Sequence, residues 1–237
     1  MNKQLGIRFS KINNKEILEQ RLELLKLSGI KDFFVDRTET PDKGEILKKL
    51  ALEYKDCKRC GLCETRNHFV YGEGNPDAVI MFIGEGPGEQ EDMQGIPFVG
   101  SAGKLFNKML KAISLQREEV YITNIVKCRP PKNRNPLSDE IESCIPYLYE
   151  QISIIKPGII CALGKVAGNN LLNNENTLGS MRGRFYHFQD ARLMVTYHPS
   201  ALLYHLEWKR PAWEDLKMLM GEYRKFQSNI GGLNYNG

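Results

Sequence analysis

The sequence predicts an α/β protein built on a mostly parallel sheet with helices on both faces. Short apolar runs at Ala78–Ile83, Val120–Val126, Ile159–Leu163 and Arg192–Tyr197 have strand length. Stretches of helical spacing alternate with them, which is the pattern of βα units. The segments after the runs are Gly84–Gly88, Lys127–Pro131, Gly164 and His198–Pro199. In such sheets a ligand site lies beyond the carboxyl ends of the strands.

The elements follow in order. Ile17, Leu22, Leu24, Leu25 and Leu27 predict an amphipathic helix from Lys15 to Leu27, closed by Ser28-Gly29. The polar stretch from Asp36 to Lys43, with Pro41, reads as a linker. Gly100 to Ile113 has helical spacing through Leu105, Met109, Leu110 and Ile113. Ser138 followed by Ile141 marks a helix start, and Pro157-Gly158 breaks that helix after Ile155. Lys165 to Leu172 reads as a short helix and Pro211 to Tyr223 as the last one. The expected division is an extension over 1–45, a domain over 46–226 and a loose tail over 227–237.

Composition narrows the class. The 237 residues are 41% hydrophobic and 26% charged, an ordinary globular balance that excludes a wholly disordered chain. Lys+Arg 33 against Asp+Glu 29 leaves +4, mildly basic, which permits a polyanionic partner without requiring one. No run approaches the ~18 apolar residues of a membrane span. The N-terminus has no apolar core of a secretory signal, so an intracellular, cytoplasmic protein is expected. In a reducing compartment its 6 Cys read as metal ligands, reactive thiols or core residues before disulfides.

Cys57-x2-Cys60-x2-Cys63 is a tight cluster. Such spacing lets two thiolates reach one metal, and four thiolates suit zinc or an iron–sulfur cluster. Further ligands must come from elsewhere, and Cys128 and Cys144 flank a proline-rich loop that could supply two. Spacing alone does not separate the two metals, and loose thiols are the plainer alternative. Cys161 lies in an apolar strand and reads as core.

The loops after the strands carry the chemistry. Gly84-Glu-Gly-Pro-Gly88 lacks the third glycine of a dinucleotide fingerprint, and Glu85, Glu89, Glu91 and Asp92 disfavour a pyrophosphate. It suits close backbone approach to a neutral ligand. Phe98 is bracketed by Gly95, Pro97 and Gly100, which suits a fixed loop presenting the ring; core packing is the alternative. Asn124 in an apolar strand needs amide partners, structural ones or the edge of a base. Lys127, Arg129, Lys132 and Arg134 form a basic run stiffened by Pro130, Pro131 and Pro136, either a solvated loop or a phosphate contact, to which Arg182 and Arg184 could add. His198, Ser200, Leu202 and Leu203 place an imidazole, a hydroxyl and an apolar wedge on one segment, as a base-extruding enzyme would.

From Ile46 to Met220 the chain resembles the family 4 uracil-DNA glycosylases. The motifs that carry this are GEGPGEQEDMQGIPFVGSAG, YITNIVKCRPPKNRNP, ALGKVA and TYHPSALL, in this order. The resemblance implies a three-layer α/β/α sandwich around a central, mostly parallel sheet, four-stranded by the runs above. It implies hydrolysis of the N-glycosidic bond of deoxyuridine in DNA, in base excision repair. It further implies a [4Fe-4S] cluster on Cys57, Cys60, Cys128 and Cys144, organising DNA-contacting loops, with Cys63 surplus. Phe98 would stack on uracil, and Asn124 would read its Watson–Crick edge. Gly84, Glu85 and Gly86 would line the pocket, and Glu91 would crowd position 5 of the ring. His198 would donate to O2, and Leu202 or Leu203 would fill the gap in the duplex. Glu85 or backbone atoms would hold the attacking water, since Gly86 stands where another family carries an aspartate. A basic insertion that traps DNA in a relative is missing between Lys127 and Asn135, so turnover to an abasic product is expected.

Residues 1–45 lie outside the resemblance. Ile30, Phe33 and Phe34 have the spacing of a sliding-clamp peptide, without its usual Gln, as Leu27 stands there. Nothing suggests an obligate dimer, so a monomer is expected. Two rivals stand beside this reading: a non-catalytic, metal-stabilised nucleic-acid-binding module, and a glycosylase of broader damaged-base range.

Overall fold

The structure is a computed structural model that describes residues 42–232. The expected helix at Lys15–Leu27 and the residues Ile30, Phe33 and Phe34 lie outside the described residues. The described residues belong to one compact unit.

Helix α1, Lys43–Tyr54, is capped by the Asp42 side chain, which accepts from the Gly44 N–H. It runs across the expected boundary at residue 45. A short 3-10 turn at Gly61–Glu64 carries Cys63. Strands β1 (Glu73–Gly74) and β2 (Ile80–Gly84) follow, then helices α2 (Glu89–Gln94) and α3 (Ser101–Ala112). Strand β3 is Tyr121–Asn124 and helix α4 is Ser138–Ile155. Strand β4 (Ile159–Leu163), helices α5 (Lys165–Leu172) and α6 (Leu178–Met181), and strands β5 (Phe185–Phe188) and β6 (Ala191–Thr196) complete the sheet region. Helices α7 (Pro199–Tyr204) and α8 (Lys209–Gly232) close the described chain.

The sheet has six strands in the order β1-β3-β2-β4-β6-β5. The four strands read from the sequence are its parallel centre. The two edges, β1 and β5, pair antiparallel and are additions to the four-stranded expectation. One is two residues long and the other only partly buried, so neither shows as an apolar run.

Side chains alternate across the sheet with period two. Met81, Ile83, Ile160, Ala162, Leu193 and Val195 pack with Leu148, Ile152 and Leu171 of α4 and α5. Ile80, Phe82, Ile159, Cys161 and Met194 pack with Phe106, Leu110, Leu216 and Leu219 of α3 and α8. Cys161 is therefore core, as expected. Each such aliphatic or aromatic side chain contributes about 1.5–3 kcal/mol on burial, which makes the three-layer stack rigid enough to present loops at one edge.

Helix predictions hold at α3, α4 and α5. Helix α4 starts at Ser138 as expected; its N-cap is Leu137, with Glu140 accepting from the Leu137 N–H at 2.7 Å. The tail expected over 227–237 is helical as far as Gly232, because Tyr223 and Phe226 pack against the core and carry α8 onward. The segment at Pro199–Tyr204 is a helix with Pro at its first turn, where a missing N–H costs nothing.

Candidate active site and cysteine cage

Parallel register brings Gly84 beside Asn124 and Leu163 beside Thr196, so four strand ends meet at one edge. A cavity of about 630 Å³ opens there, lined among others by Glu85, Glu91, Phe98, Asn124, His198 and Ser200. That is the size of a small-molecule site. The residues singled out on four separate loops thus converge.

Phe98 is held in a left-handed backbone conformation, with φ 54. A bulky residue reaches that region only when its surroundings impose it. Arg117 does so from outside, donating to the carbonyl oxygens of Phe98 and Pro97 and pairing with Glu73 at 3.2 Å. Glu91 does so from inside, its Oε1 accepting from the N–H groups of Val99 and Gly100, both at 2.9 Å. A Cβ at Gly103 would strike the Phe98 carbonyl. Glu91 lines the cavity, and its carboxylate is first of all a clasp on the Phe98 loop.

Gly84 is small because two side chains converge on it. A Cβ there would lie 2.7 Å from the tip of the Phe98 ring and would overlap Asn124 Oδ1. Asn124 is buried, and its Oδ1 has no hydrogen-bond partner among the described residues. An orphaned buried acceptor is costly, and in a cavity wall it points to a ligand N–H. The backbone of Asn124 is fixed from behind. Lys127 Nζ donates to the Asn124 carbonyl at 2.8 Å and to Gln151 Oε1 at 2.7 Å.

Lys127 corrects the sequence reading. It is fully buried, and burial pushes its pKa down to about 7. It is no phosphate contact. Its apolar neighbours Ile125 and Val126 were the available signal. Arg129 pairs loosely with Glu89 at 3.7 Å and donates to Asn133 at 2.9 Å. Arg134 lines the cavity and forks onto Glu140 at 2.6 and 2.8 Å. Lys132 is exposed.

His198 caps α7, and its Nδ1 accepts from the Ser200 N–H at 3.2 Å. That bond requires an unprotonated Nδ1, so the hydrogen sits on Nε2. Burial lowers the ring's pKa to about 4, against a smaller opposing effect of Glu91. The ring stands 5.4 Å from that of Phe98. The end of β6 is braced by buried Asp215, which accepts from Thr196 at 2.6 Å and from Arg182 at 2.8 Å.

Leu202 is 2% exposed, packed inward on α7, whereas Leu203 is 37% exposed and points outward. Of the two, Leu203 and not Leu202 is presented to solvent, since adjacent helix positions point about 100° apart. Glu85 borders the cavity, and burial raises the pKa of its carboxyl. Gly86 lies against Val126, where a Cβ would come within 2.8 Å.

A second, small cavity is ringed by Cys57, Cys60, Cys63, Cys128 and Cys144. Three of these sulfurs receive donors. Arg66 Nη1 lies 3.3 Å from Cys128 Sγ, the Lys127 N–H 3.2 Å from Cys144 Sγ, and the Tyr147 hydroxyl 3.1 Å from Cys57 Sγ. Burial pushes the Cys128 thiol up to about 12 and the Cys144 thiol to about 11, so both stay protonated unless a metal takes the proton's place. Among the described residues no three Cys, His, Asp or Glu converge tightly enough for a single ion. The thiols surround a space instead.

Arg66 links this cage to the first cavity. It also donates to the Cys57 carbonyl at 2.7 Å. The next residue, Asn67, gives both its amides to Asp92, at 2.9 and 2.6 Å. Asp92 is buried on α2 beside Glu91. The cage, α2 and the Phe98 clasp are thus one hydrogen-bonded chain. Arg66, Asp92 and Arg117 carry no local sequence signal, because their partners lie 9 to 62 residues away and nothing in their neighbours reports that.

The family model of the Uracil DNA glycosylase superfamily matches residues 71–217. A Type-4 uracil-DNA glycosylase of Sulfurisphaera tokodaii is 45% identical over 184 residues, 74% of this chain and 84% of that protein. One of Archaeoglobus fulgidus is 40% identical, over 74% of this chain and 92% of its own length. One of Saccharolobus solfataricus is 46% identical, over 72% and 83%.

Proposed function

This chain belongs to the uracil DNA glycosylase superfamily, and we infer that it excises uracil from DNA by hydrolysing the bond between C1′ and N1, leaving an abasic site for repair. The observation that carries this is the orphaned Oδ1 of Asn124 in the wall of the first cavity. An amide presenting Oδ1 and Nδ2 side by side accepts from N3–H of uracil and donates to O4. Cytosine, with an acceptor at N3 and a donor at N4, opposes both.

Each neighbour takes a part. The Phe98 ring stacks on the base, held ready by Glu91 and Arg117. Glu91 at the cavity wall crowds position 5 and disfavours thymine. His198 presents Nε2–H towards O2. As the C1′–N1 bond breaks, its electron pair moves onto uracil, and a fixed neutral donor at O2 stabilises that anion by roughly 3 kcal/mol in a dry site. Water adds its oxygen to C1′ and releases a proton. Glu85 and the backbone beside it, on the loop after β2, would hold that water. No step requires a covalent bond between protein and DNA.

The five-cysteine cage fits a polynuclear centre better than a lone ion, since its thiols ring a cavity and receive N–H and O–H donors as sulfur ligands of clusters do. Cys57, Cys60, Cys128 and Cys144 would hold a [4Fe-4S] cluster. Bound there, the cluster supplies a cross-link between the Cys57–Cys63 turn, the loop after β3 and α4. Arg129 and Lys132, after β3, and Leu203, on α7, would meet DNA. Among the described residues no helix is long and apolar enough to cross a membrane, and a repair enzyme of this kind would work in the compartment that holds the DNA.

The test is a labelled duplex with one uracil, treated with alkali after incubation, with Asn124→Ala alongside. Uracil-dependent breakage that is lost in the variant is the expected result. No breakage by protein with its visible absorption intact would overturn the reading.

A further inference from the structure

We propose that Tyr204 is a stacking platform for the nucleobase next to the extruded uracil, a contact that rests on the glycosylase reading above. Tyr204 is 82% exposed, the most exposed large apolar side chain among the described residues. It ends α7, the helix whose residues Ser200 and Ala201 line the uracil cavity. Four residues separate Ser200 from Tyr204, so the two share a helix face, with about 6 Å of rise between them. Tyr204 therefore stands one helical turn from a residue of the cavity wall, on the same helix face, and is open to solvent.

The neighbouring aromatic rings are already partnered. Tyr197 stacks on Trp208 at 5.3 Å, and Trp208 stacks on His205 at 3.9 Å. The Tyr204 ring has no ring partner and its hydroxyl no hydrogen bond among the described residues. Beside it Leu203 is 37% exposed. Three cations flank the segment, and its one acid, Glu207, lies against His205 at 3.3 Å. Lys165 lines the cavity, and exposed Lys209 and Arg210 open the next helix. None of the three has an ion pair among the described residues. An aromatic face with free cations about it is the combination that holds a single strand: phosphates on the charges, a base on the ring.

The physical need is specific. Turning uracil out of the stack deprives the adjacent base of one neighbour, and a tyrosine ring restores a stacking surface. Because every base has a π-face, the contact is indifferent to sequence. It matters most where no complementary strand holds the neighbour in place, so the platform favours uracil in single strands.

The experiment uses the full chain with its cluster loaded. Initial rates are measured on single-stranded and duplex uracil oligonucleotides for the parent, Tyr204→Ala and Tyr204→Phe. In parallel, fluorescence of 2-aminopurine is followed on either side of an uncleavable 2′-fluorodeoxyuridine. The expected result for Tyr204→Ala is a KM about tenfold higher on single strands with kcat kept, and loss of 2-aminopurine quenching on one side only. Tyr204→Phe should restore both. Parental KM and quenching in Tyr204→Ala would overturn the proposal. So would a Phe variant as poor as Ala, which would assign the hydroxyl. So would an unchanged KM with a fall in sedimentation coefficient, which would place a second copy on this face. A parent that releases no uracil from either substrate would instead defeat the glycosylase reading, while the quenching still reports on the platform.

Discussion

The backbone N–H of Ser200 reaches Nδ1 of His198 at 3.2 Å, and that bond decides which ring nitrogen carries the hydrogen. A protonated Nδ1 would meet the N–H head on. Nε2 is therefore the donor, and the ring works uncharged.

A pH prediction follows from that tautomer. Burial holds the folded pKa near 4, below the ordinary 6.5. The unfolded chain thus takes up this proton first as pH falls, and the stability tied to the neutral ring is full above about 6.5 and lost towards 4. Single-turnover rates should show no step from His198 near 6.5 and should lose the neutral ring only as pH approaches 4. His198→Ala should lower the rate about 10²–10³-fold, as removal of one anion-stabilising donor does.

Gly84→Ala tests the packing of the base-reading pair. The new methyl would press on the Phe98 ring at 2.7 Å and displace Asn124 Oδ1. The variant should fold, with circular dichroism unchanged, yet lose on the order of 100-fold in kcat/KM, the scale expected when reacting groups shift by about 1 Å.

Arg117→Met should release the loop that carries Phe98. The left-handed turn stores roughly 1–3 kcal/mol, and Arg117 is its outer restraint. Product inhibition by free uracil should weaken about tenfold, the equivalent of 1.4 kcal/mol. Inhibition as tight as in the parent would assign the whole restraint to Glu91.

Two variants separate holding the proposed cluster from using it. Cys128→Ser should bleach the visible absorption and lower the melting temperature together. Asp92→Asn should keep the absorption but lower kcat/KM by about tenfold, because the amide nitrogen that replaces Oδ2 is a donor and cannot accept from Asn67 Nδ2 as the carboxylate does. Full activity in Asp92→Asn would show that the cage and the uracil pocket are independent.

The sequence by itself determined the four central strands and helices α3, α4 and α5, because strand alternation, helical spacing and terminating glycines are local. It also placed Phe98, Asn124 and His198 after strand ends, where the parallel topology had to bring them together. Only the tertiary structure decided that Lys127 is buried behind Asn124 and not on the DNA side, that Leu203 and not Leu202 faces outward on α7, and that the tail to Gly232 is helical. It alone revealed Arg66, Asp92 and Arg117 as the ties between cage, α2 and the Phe98 loop. A charge in a run reads as solvated until its partners are known. Those partners are set by which loops the sheet order makes neighbours, and sheet order is a long-range property that no window of sequence contains.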